Sequence, residues 1–188
     1  MEKEVRNTVL ISRKIENVVV INELNSFFIY NFDKDYRGFD ESHRENEFIF
    51  ILDGQECVYE DDKTYILSKG QALLHKPFAV HKDNPINGNS KICEFTFVGM
   101  VKNIDILHDK VLDLTSEQMY LLNDIFNYAV KHYYIDEIQT FYSGRDKDKN
   151  TEIGFGSDQI LKNKVELFLI DCGVNEEQIN NIKRIMLE

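Results

Sequence analysis

Residues 41–81 read ESHRENEFIFILDGQECVYEDDKTYILSKGQALLHKPFAVH, and the turns inside this stretch decide the fold. Residues 47–52 and 57–60 have the composition of strands, and Asp53-Gly54 between them is typical of a β-hairpin turn. Further turns are predicted at residues 61–63 and at Lys69-Gly70. Closely spaced strands without a helical period between them predict an antiparallel meander, which is typical of a barrel or a sandwich.

Polar side chains bracket this meander at regular spacings. They form two motifs, His43-x3-Glu47-x6-Gly54 and Gly70-x6-Pro77-x3-His81. These spacings resemble the paired motifs of the cupin superfamily, in which histidines and a glutamate line a small barrel and often hold a metal. Two positions depart from that pattern. Glu41 stands where the family has its first histidine, and the glycine usual after the second-motif proline is absent.

The phrase EFIFILDGQ…YILSKGQALLHKPFAVH is similar to the N-terminal sensing domain of AraC-type transcription regulators. The resemblance covers roughly residues 20–100 by motif. A second segment, residues 156–171 (GSDQILKNKVELFLID), resembles the helix that these regulators carry before the linker to their DNA-binding domain. It implies a barrel that holds a small effector, usually without a metal, and helices that form a dimer.

The composition is that of an ordinary globular chain with an acidic balance. Of its 188 residues, 43% are hydrophobic and 29% are charged, and the formal net charge is −11. Because an acidic chain repels phosphate backbones, we expect no DNA binding by this chain alone. Because the sequence shows neither the pattern of a signal peptide nor an apolar run long enough to span a membrane, we expect a cytoplasmic protein with no membrane partner. Cys57, Cys93 and Cys172 lack a CxxC spacing, which argues against a disulfide framework and a zinc knuckle.

The order of strand and helix patterns predicts an α+β fold that is mostly β. We expect an N-terminal arm at residues 1–16, then an antiparallel cupin-like barrel (a double-stranded β-helix or jelly-roll) at 17–112, and a C-terminal helical layer at 113–188. Strands are predicted at residues 18–24 and 27–32, separated by a turn at Asn25-Ser26, and at residues 91–98, ended by Gly99. Between His81 and Lys91 we expect a polar loop.

Helical signals begin after residue 114. Thr115 and Gln118 are placed as a capping box for a helix that runs to about His132. A second helix is predicted from Ser157 to Gly173, followed by a short third helix from Asn175.

Strand 47–52 is apolar on both faces. His43, Glu47, Ile49 and Ile51 share one parity, and Phe48, Phe50 and Leu52 share the other. If the first set points into the barrel, the second set forms an apolar outer face that another layer must bury. We therefore expect the helices to pack on this face. The seam Leu161, Val165 and Phe168 has two open interpretations: it packs on this outer face, or it pairs with a second copy to form the predicted homodimer.

Two functions fit these patterns. The leading hypothesis is the effector-sensing and dimerisation domain of an AraC-family regulator without its DNA-binding part, since residues 173–188 cannot hold the two helix-turn-helix units. Its small polar effector would contact Tyr30, His43, Glu47 and His81, with no catalytic residue, metal or cofactor assigned. Tyr30 shares a strand face with Phe28 and Phe32, which could stack on a ligand or fill the core. The alternative is a small metal-dependent cupin enzyme with His43, Glu47 and His81 as ligands.

Overall fold

The computed structural model describes residues 14–135, 141–142 and 154–187. The strands are β1 Val19–Phe32, β2 Asn46–Asp53, β3 Gln55–Glu60, β4 Lys63–Ser68, β5 Gln71–His75, β6 His81–Pro85, β7 Ser90–Val101, β8 Leu112–Asp113, β9 Tyr134–Ile135 and β10 Phe141–Tyr142. The α-helices are α1 Ser116–His132 and α2 Ser157–Leu187, and a 3-10 turn spans Ile104–Ile106. Most of the predicted N-terminal arm, residues 1–13, lies outside the described residues.

Two antiparallel sheets face each other across an interior. One has the order β1-β7-β2-β5-β8 and the other the order β4-β3-β6, while β9 and β10 form a separate pair. The inner faces of the two large sheets meet in a small apolar cluster of buried residues: Ile49, Ile51, Val58, Leu67, Leu73 and Ile92. The predicted fold class, a mostly β antiparallel cupin-like fold followed by a helical layer, is confirmed.

The helical layer covers the outer face of the larger sheet. Phe48 and Phe50 are fully buried there, and Leu52 packs against the same cluster. The rings of Phe48 and Phe168 meet edge to face at 5.0 Å, so α2 lies directly on β2. The predicted cover of the outer face by the helices is therefore confirmed.

This packing decides between the two interpretations of the α2 seam. Leu161, Val165 and Phe168 are 1%, 0% and 0% exposed within a single chain. A side chain that is already buried cannot contact a second copy, so the prediction that this seam pairs across a two-fold axis is wrong. Homodimerisation through another surface stays a prediction.

Three strand boundaries differ from the sequence-based prediction. β1 is one strand, because Asn25-Ser26 lies in a bulged stretch of the β1–β7 pair and not in a turn. β7 continues past Gly99, where a Cβ would lie 2.4 Å from the carbonyl oxygen of Val20, so only glycine allows the two strands so close. The expected polar loop after His81 is largely strand β6, which pairs with β3.

The helix boundaries are partly as predicted. Thr115 and Gln118 form the predicted capping box, and α1 ends at His132. α2 does not stop at Gly173, however, and the short third helix is its continuation. One glycine costs a helix only about 1 kcal/mol, and both prolines of the chain come earlier, at Pro77 and Pro85. No helix among the described residues is long and apolar enough to cross a membrane.

Candidate functional site

The strand register places a polar row across the inner face of the larger sheet. Ser26 of β1 lies opposite Thr96 of β7, which lies opposite Glu47 of β2, which in turn lies opposite His75 of β5. His81 faces this row from the first position of β6 in the other sheet, and His43 approaches it from the segment before β2. The interior is therefore polar at one end and apolar at the other.

His43, Glu47 and His81 meet at this polar end. The two carboxylate oxygens of Glu47 point to different imidazoles: Oε2 is 3.1 Å from His43 Nε2, and Oε1 is 3.4 Å from His81 Nε2. One ligand atom from each of the three residues lies within 4.8 Å of the others. Glu47 and His81 are buried, whereas the His43 side chain is 26% exposed. Of the four predicted ligand-binding residues, the structure brings these three together.

A backbone contact fixes the tautomer of His81. Its Nδ1 atom lies 3.1 Å from the carbonyl oxygen of Ala79, and a carbonyl can only accept, so Nδ1 carries the hydrogen. The lone pair of the neutral ring is then on Nε2, which is buried and has no well-aligned hydrogen-bond partner among the described residues. This arrangement is typical of a histidine that ligates a metal through Nε2.

The triad is strongly coupled electrostatically. Burial opposes ionisation of Glu47, but the contacts with His43 and His81, together with the charges of His75 and His81, outweigh it and lower the pKa of Glu47 to about 2. Burial likewise opposes charge on His81, but Glu47 raises its pKa to about 9, so without an ion Nε2 also carries a proton, which a bound ion would have to displace. The hydrogen bond with Glu47 also raises the pKa of His43. Glu47 is therefore a carboxylate at any ordinary pH, the form that binds a cation.

Glu41 holds the position of the missing family histidine. Its backbone pairs with His81 through two hydrogen bonds of 3.0 and 2.9 Å. Burial and the charge of Glu47 raise the pKa of the Glu41 carboxyl, while the three neighbouring histidines lower it. Its carboxylate is close enough to act on the triad but does not belong to the group of atoms that converge.

Tyr30 lies in the same interior but on a different row. It belongs to a ladder of stacked rings, with 5.2 Å between Phe28 and Tyr30, 5.2 Å between Tyr30 and Phe32, and 3.9 Å between Phe32 and Tyr36. Burial and the nearby charge of Glu94 raise the pKa of Tyr30 above its usual range. Among the described residues Tyr30 makes no hydrogen bond to the triad, so it lines the interior beside the triad without contacting it.

His75 is a further interior residue, which lies outside the two sequence motifs. It is fully buried and stacks on His81 with 4.3 Å between ring centroids. Its Nδ1 atom is 3.6 Å from Glu60 Oε1, and neither ring nitrogen has a hydrogen-bond partner among the described residues. Its pairing opposite Glu47 follows from the β2–β5 register, which the turn at Lys69-Gly70 indicates only indirectly.

Sequence reasoning missed three interior carboxyls. Glu94 of β7, Asp83 of β6 and Glu56 of β3 all face inward. Burial raises the pKa of Asp83 to about 6 and that of Glu56 to about 7, and it raises the pKa of Glu94 well above the usual range. A signal for Glu94 was present, because it is the only charge within the apolar run ICEFTFV.

The triad fits a metal ion. Two donors bound to one ion at about 2.1 Å, at tetrahedral or octahedral angles, stand about 3.0–3.4 Å apart. Glu47 makes contacts of this length through its two different oxygens, 3.1 Å from Oε2 to His43 Nε2 and 3.4 Å from Oε1 to His81 Nε2, and the three ligand atoms all lie within 4.8 Å of one another. Two imidazoles and one carboxylate suit Fe, Mn, Zn or Ni, and three protein donors leave coordination positions open. Among the described residues this is the one group of three or more such side chains that converges on a point.

Comparisons with known proteins find only distant structural likenesses. No family model matches the chain. No curated protein matches it either. Among solved structures, it is similar to the RmlC-like cupin from Shewanella frigidimarina NCIMB 400, with 13% identity over 45% of this chain and 79% of that chain and a TM-score of 0.33. It is also similar to TT1209 from Thermus thermophilus, with 13% identity over 46% and 89% and a TM-score of 0.36.

A third similar structure is an enzyme. Hydroxypropylphosphonic acid epoxidase from S. wedmorenis, solved in complex with fosfomycin, matches at 21% identity with a TM-score of 0.35. The match covers 38% of this chain and only 42% of the epoxidase. Because all three TM-scores are below 0.5, we draw no argument from these likenesses, and the function has to be argued from the site.

Proposed function

We propose that this chain is a small metal-dependent cupin enzyme whose His43, Glu47 and His81 hold a divalent transition-metal ion. The observation that carries the proposal is the convergence of these three side chains within 4.8 Å at the polar end of the interior. His43 and Glu47 are neighbours four residues apart, whereas His81 comes from β6 in the other sheet, so the fold brings His81 to the pair. The bound ion would supply Lewis acidity at open positions and so activate a small substrate or water.

Each protein residue has a distinct part in this proposal. Glu47 supplies the negative charge, since its pKa of about 2 keeps it ionised. The contact between His81 Nδ1 and the Ala79 carbonyl orients the His81 ring and leaves Nε2 for the ion. His75, stacked on His81, limits rotation of that ring. His43 is the most exposed of the three, so the ion would be reached from its side.

Metal analysis tests this function directly. Protein purified without added metal should contain about one equivalent of a transition metal per chain, and His81→Ala should lose most of it. His132→Ala is the matched control, since His132 lies at the end of α1, outside the interior, and should retain the wild-type content. A wild-type protein that stays metal-free and takes up none of Fe, Mn, Zn or Ni at micromolar concentration would refute the proposal.

Effector sensing, as in AraC-type regulators, is the second candidate. It is favoured by two departures from the metal-binding pattern: Glu41 in place of a histidine, and Phe78 in place of the glycine after Pro77. In this version Tyr30 and the triad would bind a small polar effector without a metal. Saturable binding of such a molecule to a metal-free protein, together with dimer formation, would support it over the enzyme.

The dimer of this second candidate would need a surface other than the buried α2 seam. Ile160 and Leu167 are 44% and 52% exposed and lie seven residues apart, on one stripe of α2. Leu167→Glu should dissociate a dimer built on this stripe and leave the melting temperature of the monomer unchanged. Sedimentation of the wild type as a monomer would remove dimerisation from the proposal.

A further inference from the structure

Two contacts between a histidine and a carboxylate cross the interior from one sheet to the other. The first joins Glu47 on β2 to His81 on β6 and belongs to the triad. The second joins His75 on β5 to Glu60 on β3, with 3.6 Å between His75 Nδ1 and Glu60 Oε1. The β2–β5 register places His75 opposite Glu47. The β3–β6 register places Glu60 opposite His81, so the two pairs lie side by side.

The second pair is buried but does not belong to the proposed set of ligands. His75 is 0% exposed and Glu60 is 2% exposed. Among the described residues, the group whose ligand atoms converge consists of the triad alone. Burial opposes ionisation of Glu60, but its contacts with His75 and with the backbone N–H of Lys76 outweigh it and lower the pKa of this carboxyl. Glu60 is therefore a carboxylate beside the His75 ring.

The backbone next to His75 holds Glu60 in place. Glu60 Oε1 accepts a hydrogen bond of 2.9 Å from the N–H of Lys76, the residue that follows His75. The same oxygen approaches His75 Nδ1. Neither nitrogen of the His75 ring has a well-aligned hydrogen-bond partner among the described residues. The orientation of this ring therefore depends on the charge of Glu60 and on packing.

His75 in turn restricts the His81 ring. The contact of His81 Nδ1 with the Ala79 carbonyl involves one atom of the ring, so the ring can still tilt about that atom. His75 stacks on the ring with 4.3 Å between centroids and 22° between planes, and so blocks a tilt toward that face. The direction of His81 Nε2, which lies 3.4 Å from Glu47 Oε1, therefore depends on where the His75 ring lies.

We propose that Glu60 is a positioning residue, which acts through His75 to fix the ring of His81 and with it the direction of Nε2. The role of His81 as a ligand rests on the proposed function, but the position of its ring can be measured without an ion. Replacing the outer residues that orient a ligating histidine commonly lowers metal affinity by about 10–100-fold. We expect the lower end of this range, because Glu60 reaches His81 through a stacked ring and not through a hydrogen bond.

Nuclear magnetic resonance of the metal-free protein tests the position of the ring. With histidine labelled at Cε1, the 5 histidines of the chain give few signals, and the His81 signal is the one that His81→Ala removes. Glu60→Gln keeps the size of the side chain and an oxygen for the Lys76 N–H, and it should shift and broaden the His81 signal. Glu56→Gln is the matched control, since it removes a buried carboxylate of the same strand that contacts Ser90, and it should leave that signal unchanged.

Metal affinity tests the consequence for the proposed centre. Calorimetric titration of the metal-free protein with Zn²⁺ should give about tenfold weaker binding in Glu60→Gln than in the wild type. Glu56→Gln should stay near the wild-type affinity. A double-mutant cycle with His75→Leu reveals the route of the effect. If Glu60 acts through His75, Glu60→Gln should lose its effect on the affinity in the His75→Leu background, whereas a direct electrostatic effect of Glu60 on the ion would persist.

Three outcomes would overturn the proposal. The first is a wild-type His81 signal in a folded Glu60→Gln protein, and the second is the same change of that signal in Glu56→Gln. The third is a full effect of Glu60→Gln on Zn²⁺ affinity in the His75→Leu background. The first two need no His75 variant and no ion. A wild type that takes up no metal, together with a changed His81 signal in Glu60→Gln alone, would support this proposal while refuting the metal centre.

Discussion

The two faces of the larger sheet differ sharply in what they bury. The outer face contacts the helices through fully buried aromatic rings, among them Phe27, Phe48, Phe95, Phe97 and Phe168. The inner face buries Glu47, His75 and Glu94 in the same sheet, a few ångströms away through the backbone. One strand, β2, alternates between both environments, with Phe48 pointing out and Glu47 and Ile49 pointing in.

This difference separates stability from function. The outer layer is held together by apolar burial and ring contacts, such as the 5.3 Å stacking of Phe48 on Phe95. In the interior, buried atoms of Glu56, His75, His81 and Asp83 lack hydrogen-bond partners among the described residues. Each such atom costs free energy as long as it has no partner. The outer layer therefore stabilises the fold, whereas the interior contains the residues of the proposed site.

The largest effect is expected in the outer layer. Phe168→Ala removes a fully buried ring that contacts Phe48 and Phe95, and it should lower the free energy of unfolding by about 3–5 kcal/mol in urea titrations. Leu167→Ala is the control, since its side chain is 52% exposed and should change stability by less than about 0.5 kcal/mol. Equal effects of the two variants would contradict the assigned packing of α2.

The next effect concerns the triad and depends on the metal. If a metal occupies the site at a hundredfold excess over its Kd, its removal by a chelator should lower the free energy of unfolding by about 3 kcal/mol. Glu47→Gln should abolish this difference, because it removes the charge between His43 and His81. Thermal melts with and without chelator measure both. An equally large chelator effect in Glu47→Gln would place the metal elsewhere.

A pH effect is expected from Glu56. Burial raises its pKa from 4.5 in the unfolded chain to about 7 in the fold, so the folded state binds more protons between these values. Its contribution therefore destabilises the protein as the pH rises from about 4.5 to about 7, and the full cost is present above pH 7. Glu56→Gln should raise the free energy of unfolding at pH 8 by about 1–3 kcal/mol and leave it nearly unchanged at pH 4.5.

Urea titrations at several pH values measure this effect, with Glu117→Gln as the control that should follow the wild-type profile. Asp83, whose pKa is raised to about 6 by burial, and Glu94 keep some pH dependence in the variant. A Glu56→Gln protein that is destabilised at both pH values would show that the hydrogen bond from Ser90 to Glu56 outweighs the cost of the buried charge.

The outer layer was predictable from the sequence because its signal is periodic. Phe48, Phe50 and Leu52 alternate with the inward residues, and Thr115 with Gln118 gives a local capping pattern, so both features depend on near neighbours only. His43, Glu47 and His81 could be grouped only through the resemblance of their spacing to the cupin motifs, because β6 lies in the other sheet and no local turn sets its position relative to β2.

The interior carboxyls Glu56, Asp83 and Glu94 were not predictable in this way. β6 has the sequence pattern of a loop because its inward residues are His81 and Asp83, and a strand whose buried face is polar lacks the apolar alternation. The single strand β1 has the pattern of two strands because Asn25-Ser26 is a common turn pair, whereas here the Ser26 hydroxyl contacts that of Thr96 at 2.6 Å across a bulge. Both errors come from contacts between residues far apart in sequence.

The smallest expected effect lies at the rim of the interior. Phe78 has φ 64, the left-handed region that favours glycine, and it occupies the position after Pro77 where the cupin pattern has glycine. Its backbone N–H donates to the carbonyl of His43 at 2.7 Å, so the strained turn holds the segment that carries a triad residue.

Phe78→Gly should relieve about 1–2 kcal/mol of strain. Greater freedom of the unfolded chain offsets part of this, by about 0.5–1 kcal/mol. The ring is 70% exposed and contributes little burial. We therefore expect a gain of less than about 1 kcal/mol in urea titrations. Asn103→Gly, at φ 59 in a residue that tolerates this region, should be neutral. A loss of more than about 1 kcal/mol in Phe78→Gly would show that the ring stabilises the rim, and the polar interior would then depend on apolar contacts at its opening as well.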